Sequence, residues 1–148
     1  MNADDLSSAK DYYQKMEESI GKLPTKERES LYRPCAIHCV KDTVLKEQQR
    51  QFQECQGNLD LQYTRYGNLE YFFANIIEKD HIYEIGYPKC FCRLVVLGFA
   101  RSSVHCECSR QSILYILHSL LPNKKIQVEI IETILEGANQ CRFRVVVE

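Results

Sequence analysis

The chain has 148 residues with 19 Lys and Arg against 20 Asp and Glu, a formal net charge of -1. That length gives one compact domain burying roughly 70% of its unfolded surface, and the charge balance excludes the global basic field that draws nucleic acid or an anionic membrane. Hydrophobic residues at 45% and charged residues at 26% exclude a disordered chain. What stands out is eight cysteines with no tryptophan.

The start, Met1-Asn2-Ala3-Asp4-Asp5, is acidic and polar, unlike a secretory signal, and no run approaches the ~18 apolar residues of a membrane span. These features predict a cytoplasmic protein with neither membrane nor nucleic acid among its partners. Thiols stay reduced in that compartment. The cysteines therefore point to metal binding, redox chemistry or burial ahead of a disulfide framework.

In chain order, Leu6, Tyr13, Met16 and Ile20 are spaced as an amphipathic helix over residues 5–21, closed by Gly21 and Pro24. A second helix starts at Thr25 and is broken or bent at Pro34. From Cys35 to about Cys55, the stripe Ala36, Val40, Val44 predicts one long helix, and Gln56-Gly57-Asn58 a loop. Asn68 suits the N-cap of a further helix with Leu69, Phe72, Phe73, Ile76 and Ile77 on one face. Residues 80–87 and 91–100 then read as a hairpin turning at Gly86-Tyr87-Pro88-Lys89. Ser109 caps a helix over 110–121 that Pro122 ends. Residues 126–135 and 141–147 form the last two strands, with Cys141, Phe143, Val145 and Val147 on one face and Glu136 to Gln140 as the link. The expected fold is α+β: N-terminal helices on a small, mainly antiparallel four-stranded sheet, with one helix between strands 2 and 3.

Three cysteine groups carry the candidate chemistry. Cys35, His38 and Cys39 fall at i, i+3 and i+4, on one side of a helix. Cys90-Phe91-Cys92 and Cys106-Glu107-Cys108 are Cys-x-Cys pairs that would each point two sulfurs to one face of a strand. Four thiolates suit tetrahedral zinc or an iron–sulfur cluster, although Cys-x-x-Cys is the usual zinc turn. With Cys141, these residues are the candidate metal ligands, and plain burial is the competing explanation for every group. Cys106 and Cys108 also precede a helix start, where the dipole favours a thiolate while Glu107 opposes it. Cys35 with His38, or Cys108 with His105, would supply the nucleophile and base of a thiol enzyme. Tyr63, Tyr66, Tyr71, Phe72 and Phe73 are candidates for the aromatic wall of a ligand pocket, or are simply core.

The closing run Glu132-Thr133-Ile134-Leu135-Glu136-Gly137-Ala138-Asn139-Gln140-Cys141-Arg142-Phe143 resembles the terminal hairpin of the bacterial 4-vinyl reductase-type domain, where a glycine and three variable residues precede Cys-x-Phe. The segments Tyr87 to Cys92 and His105 to Ser109, with Cys35 and Cys39, resemble a cysteine-rich branch of that family. The resemblance covers residues 30–148 and leaves 1–29 as an N-terminal helical extension. It implies a fold shared with haem-based nitric-oxide sensors and a vesicle-tether subunit, with helices against a twisted antiparallel sheet. It also implies a small apolar or aromatic ligand of the kind related effector-sensing domains take, and a homodimer for which Tyr12, Tyr13 and Met16 would supply the face. One position departs from the pattern. Sensor-type members place a zinc-binding cysteine where this chain has Thr133.

The function expected from these readings is a small-molecule-binding or sensor-type domain whose cysteine cluster holds zinc or another soft metal. The alternative is a redox or hydrolytic thiol enzyme.

Overall fold

In the computed structural model, which describes residues 2–148, the helices are α1 (Ala3–Gly21), α2 (Thr25–Val40), α3 (Val44–Glu54), α4 (Leu59–Tyr66), α5 (Arg93–Val96) and α6 (Cys106–Leu120). The strands are β1 (Asn68–Leu69), β2 (Phe72–Glu78), β3 (Ile82–Tyr87), β4 (Ile126–Glu132) and β5 (Cys141–Val147). They form one antiparallel sheet in the order β1-β2-β3-β5-β4. The fold is α+β. Among the described residues no helix is long and apolar enough to cross a membrane.

Strand alternation places the core. In β5, Cys141, Phe143, Val145 and Val147 are buried and meet Tyr83 and Ile85 of β3 and Val128 of β4, while Arg142 and Arg144 lie on the opposite face. That face is an ion-pair ladder: Glu84 accepts from Arg142 at 2.9 Å and Arg144 at 3.0 Å, and Glu132 from Arg142 at 3.4 Å. Hydrogen bonding from Arg144 and then Arg142, against a burial cost, holds the Glu84 carboxyl below the usual glutamate range. A depressed carboxylate stabilises the fold above its unfolded pKa, near 4.3, and loses that contribution as pH falls through the lower folded value. Urea midpoints of the native chain are therefore expected to drop on acidification below about pH 4, and Glu84→Gln is expected to flatten that drop; parallel curves would remove Glu84 from the acid response.

The inner side of the sheet carries α6, which packs on β4 and on α2, and α4, which packs on β2. Gly86 is required where β3 approaches β5, since a Cβ there would stand 1.9 Å from the Cys141 carbonyl oxygen.

Several expectations are corrected. The sheet has five strands, and the helices inserted in it, α5 and α6, lie between the third and fourth. Residues from Asn68 form β1 and β2 instead of a helix: the short run Phe72-Phe73-Ala74-Asn75-Ile76-Ile77 is aromatic and β-branched, and such residues fit a pleated surface at least as well as a helical stripe. The first long hairpin is therefore β2–β3, turning at Asp80 with φ 58°, and 91–100 holds α5 and a loop. The expected helix over 35–55 is two, α2 and α3, interrupted at 41–43, where the Thr43 hydroxyl donates to the Cys39 carbonyl at 3.5 Å. Pro34 sits inside α2 without ending it. On α1 the buried residue is Glu17, whose Oε1 accepts from the amides of Arg101 at 2.9 Å and Ser102 at 3.2 Å. Tyr12 and Met16 are exposed, whereas Tyr13 turns inward, edge-on to Phe99. Glu17→Ala is expected to cost about 1–3 kcal/mol in chemical denaturation by orphaning two loop amides; a change within error would show the carboxylate is not what anchors the loop.

Candidate functional site

Between α2, α6, the inner face of the sheet and the segment leading into α5 lies a cavity of about 1270 Å³. Ligand sites commonly measure about 300–1,000 Å³, so this one is large. Its wall is mostly apolar, with Tyr63, Phe72, Ile85, Ile113, Leu117 and Phe143 among the lining side chains. Every cysteine except Cys55 lines it, and all eight are free thiols. Cys55 is fully buried at the end of α3.

The local structures explain how the thiols converge and why they remain apart. Cys35, His38 and Cys39 share one face of α2, as their spacing requires, and that face lines the cavity. Cys106 and Cys108 occupy the first turn of α6, which begins before Ser109, so the two do not share a face as they would on a strand. Cys106 accordingly feels Thr133, Cys141 and Cys90, and Cys108 feels Cys39, Cys92 and Cys35. Cys90 and Cys92 lie in the extended loop before α5, outside any strand. Among the described residues no group of three or more His, Cys, Asp or Glu side chains is placed to hold a metal ion. As positioned, the thiols do not form the four-donor shell that zinc takes. Metal analysis of protein purified without chelators reads the zinc expectation directly, and one zinc per chain would require the thiols to swing together from these positions.

The thiols are also unequal electrostatically. Burial pushes Cys106 and Cys108 up to about 12, outweighing the helix-end effect expected from the sequence. Burial raises Cys90 and Cys141 as well. Cys92 moves the other way. Burial opposes its ionisation, but the His105 hydrogen bond, the amides of Val95 and Leu94 and the nearby imidazole charge together bring its pKa below the ordinary cysteine value. Its Sγ stands 3.2 Å from His105 Nε2.

His105 is thus paired with Cys92, a partner that sequence spacing does not show. The ring is 6% exposed and stands edge-on to Tyr32 at a centroid distance of 6.0 Å. Both residues line the cavity. His105 Nδ1 and the Tyr32 hydroxyl are buried without a hydrogen-bond partner, as are Gln14 Nε2 and Glu17 Oε2 of the adjoining α1. An unmet buried polar group costs about 1–3 kcal/mol, so this corner concentrates unsatisfied polarity beside an otherwise apolar space.

Three of the five aromatic candidates, Tyr63, Tyr71 and Phe72, line the cavity. Tyr66 and Phe73 are not among the lining residues. Tyr66 donates its hydroxyl to Glu54 beneath Arg50, and Phe73 lies against Gly86.

No family profile matches the chain, and no curated protein does so either. Among solved structures, a crystal structure of a trafficking protein particle complex subunit 3 from Naegleria fowleri, covalently bound to palmitic acid, is similar over 99% of this chain and 97% of that one. The identity is 11% and the TM-score 0.43. A likeness of that size carries no functional weight.

Proposed function

We propose that this chain is a small-molecule-binding module whose cavity takes an apolar or aromatic compound of at least drug size. The observation that carries this reading is the 1270 Å³ space with its mostly apolar wall. Folded interiors are close-packed, with few voids larger than a water molecule. This space is partly open to solvent, a cleft and not an interior void, and its size and mostly apolar wall match a ligand site. Burial of an apolar molecule supplies affinity in proportion to the area removed from water, which here comes from the ligand itself and from the more exposed lining side chains Tyr71, Phe72, Phe91 and Leu94. Tyr32 and His105 make one corner of the wall polar, which gives the ligand an orientation.

Native mass spectrometry of freshly purified protein tests this reading, followed by solvent extraction of whatever travels with the chain. A discrete added mass that extraction removes, or saturable one-to-one binding of the neutral apolar dye Nile red, is the expected result. A bare chain that also fails to bind the dye overturns it.

A further inference from the structure

Resting on that binding reading, we infer that Cys92 is a covalent attachment point in the cavity wall, and that it takes an apolar α,β-unsaturated carbonyl compound by conjugate addition with His105 carrying the proton. The geometry that supports this is the pairing of Cys92 Sγ with His105 Nε2 at 3.2 Å, with both residues on the wall of the apolar cavity. A thiol needs a base within hydrogen-bond reach to become a nucleophile, and Cys92 has one. The base in turn is held by burial at the start of α6 and by the Tyr32 ring. Beside the pair, His105 Nδ1 and the Tyr32 hydroxyl are buried without a partner, which makes this the polar end of an otherwise apolar wall.

The chemistry needs nothing more than the two residues and the ligand. His105 takes the thiol proton, and the Cys92 sulfur attacks the β-carbon. The carbon–sulfur bond forms as the carbon–carbon π bond breaks, its electron pair moving to the carbonyl as an enolate. His105 then returns the proton to the α-carbon. No oxidant, reductant or leaving group is involved. Acyl or alkyl transfer would also need a route out for a leaving group, whereas addition leaves the whole ligand in the cavity. Of the other wall thiols, burial holds Cys90, Cys106, Cys108 and Cys141 in the neutral form, and Cys35 and Cys39, though exposed, have no histidine within hydrogen-bond reach among the described residues.

The full chain is treated with 3-nonen-2-one, with its saturated analogue 2-nonanone as the non-electrophilic control, and adducts are mapped by peptide mass spectrometry. The expected result is a single adduct at Cys92, formed at a rate that saturates with enone. Cys92→Ala abolishes it, and His105→Gln slows it by at least about tenfold. The pH profile of Cys92 alkylation by iodoacetamide gives a readout that a purely structural histidine would not move. Its midpoint should lie below that of ordinary cysteines in the native chain and shift upward in His105→Gln. Adducts spread over several cysteines, or a His105→Gln rate and midpoint equal to those of the native chain, would overturn the assignment. The saturated ketone separates the two readings: if it binds while Cys92 stays unmodified, the attachment inference fails and the cavity reading stands. If neither compound binds but Nile red does, the attachment inference alone fails; if the dye fails as well, both fail.

Discussion

Phe143→Ala is expected to lower the unfolding free energy by about 3–5 kcal/mol, read as a fall in the urea midpoint with little change in slope. Phe143 is completely buried on β5, the strand that pairs with both β3 and β4, and its ring meets Tyr87 edge-on at a centroid distance of 6.0 Å. The side chain also contributes to the cavity wall. Truncation therefore removes apolar burial from the sheet and lengthens an existing void, so the neighbours have nothing to collapse onto. Single domains of this size hold only about 5–15 kcal/mol in total, which makes the substitution a severe one. A loss under about 1 kcal/mol would mean that the ring is not packed as the strand register places it.

The same strand shows what sequence can and cannot convey. Its alternation of Cys141, Phe143, Val145 and Val147 against Arg142 and Arg144 is a period-2 signal that admits one placement, and the buried and polar faces follow it. The helix α6 and the strand β4 are legible for the same reason, because one face of each is fixed by its period, whereas α1 forms where its spacing predicts but buries Glu17 and leaves Leu6 and Met16 exposed. The run from Leu69 to Ile77 is different, since its apolar residues satisfy helical and extended templates alike; only Gly67, hemmed in by the carbonyl oxygens of Tyr63 and Ala74, marks where the chain must change direction. The interruption between α2 and α3 carries no glycine or proline at all.

At the site, the gathering of cysteines could be anticipated, but their grouping could not. Cys-x-Cys pairs share a face only on a strand, and α6 begins early enough to turn Cys106 and Cys108 apart. The pairing of Cys92 with His105 joins a loop to the start of a helix, a contact set by tertiary packing that no local spacing encodes. Glu17 is hidden for the same reason, because its partners are amides about eighty residues away.

The face of α2 that carries Cys35 and Cys39 allows the binding reading to be tested without dismantling the core. Both residues line the cavity, yet both remain accessible, one turn apart on the same side of the helix. Replacing both by tryptophan projects two indoles from a wall that is not packed against a neighbour, so helix formation is preserved while the space for a ligand shrinks. Binding of Nile red, or of the extracted natural ligand, is expected to weaken by at least about tenfold, or about 1.4 kcal/mol, with circular dichroism and the urea midpoint close to those of the native chain. Cys55→Ala is the matched control, because Cys55 is the cysteine that does not line the cavity. It should lose some stability through the small void it creates and leave the dissociation constant where it was. Equal affinities for the native chain and a folded double-tryptophan variant would place the ligand elsewhere on the molecule. A Cys55→Ala variant that bound as weakly as the double variant would trace the loss to general loosening of the fold.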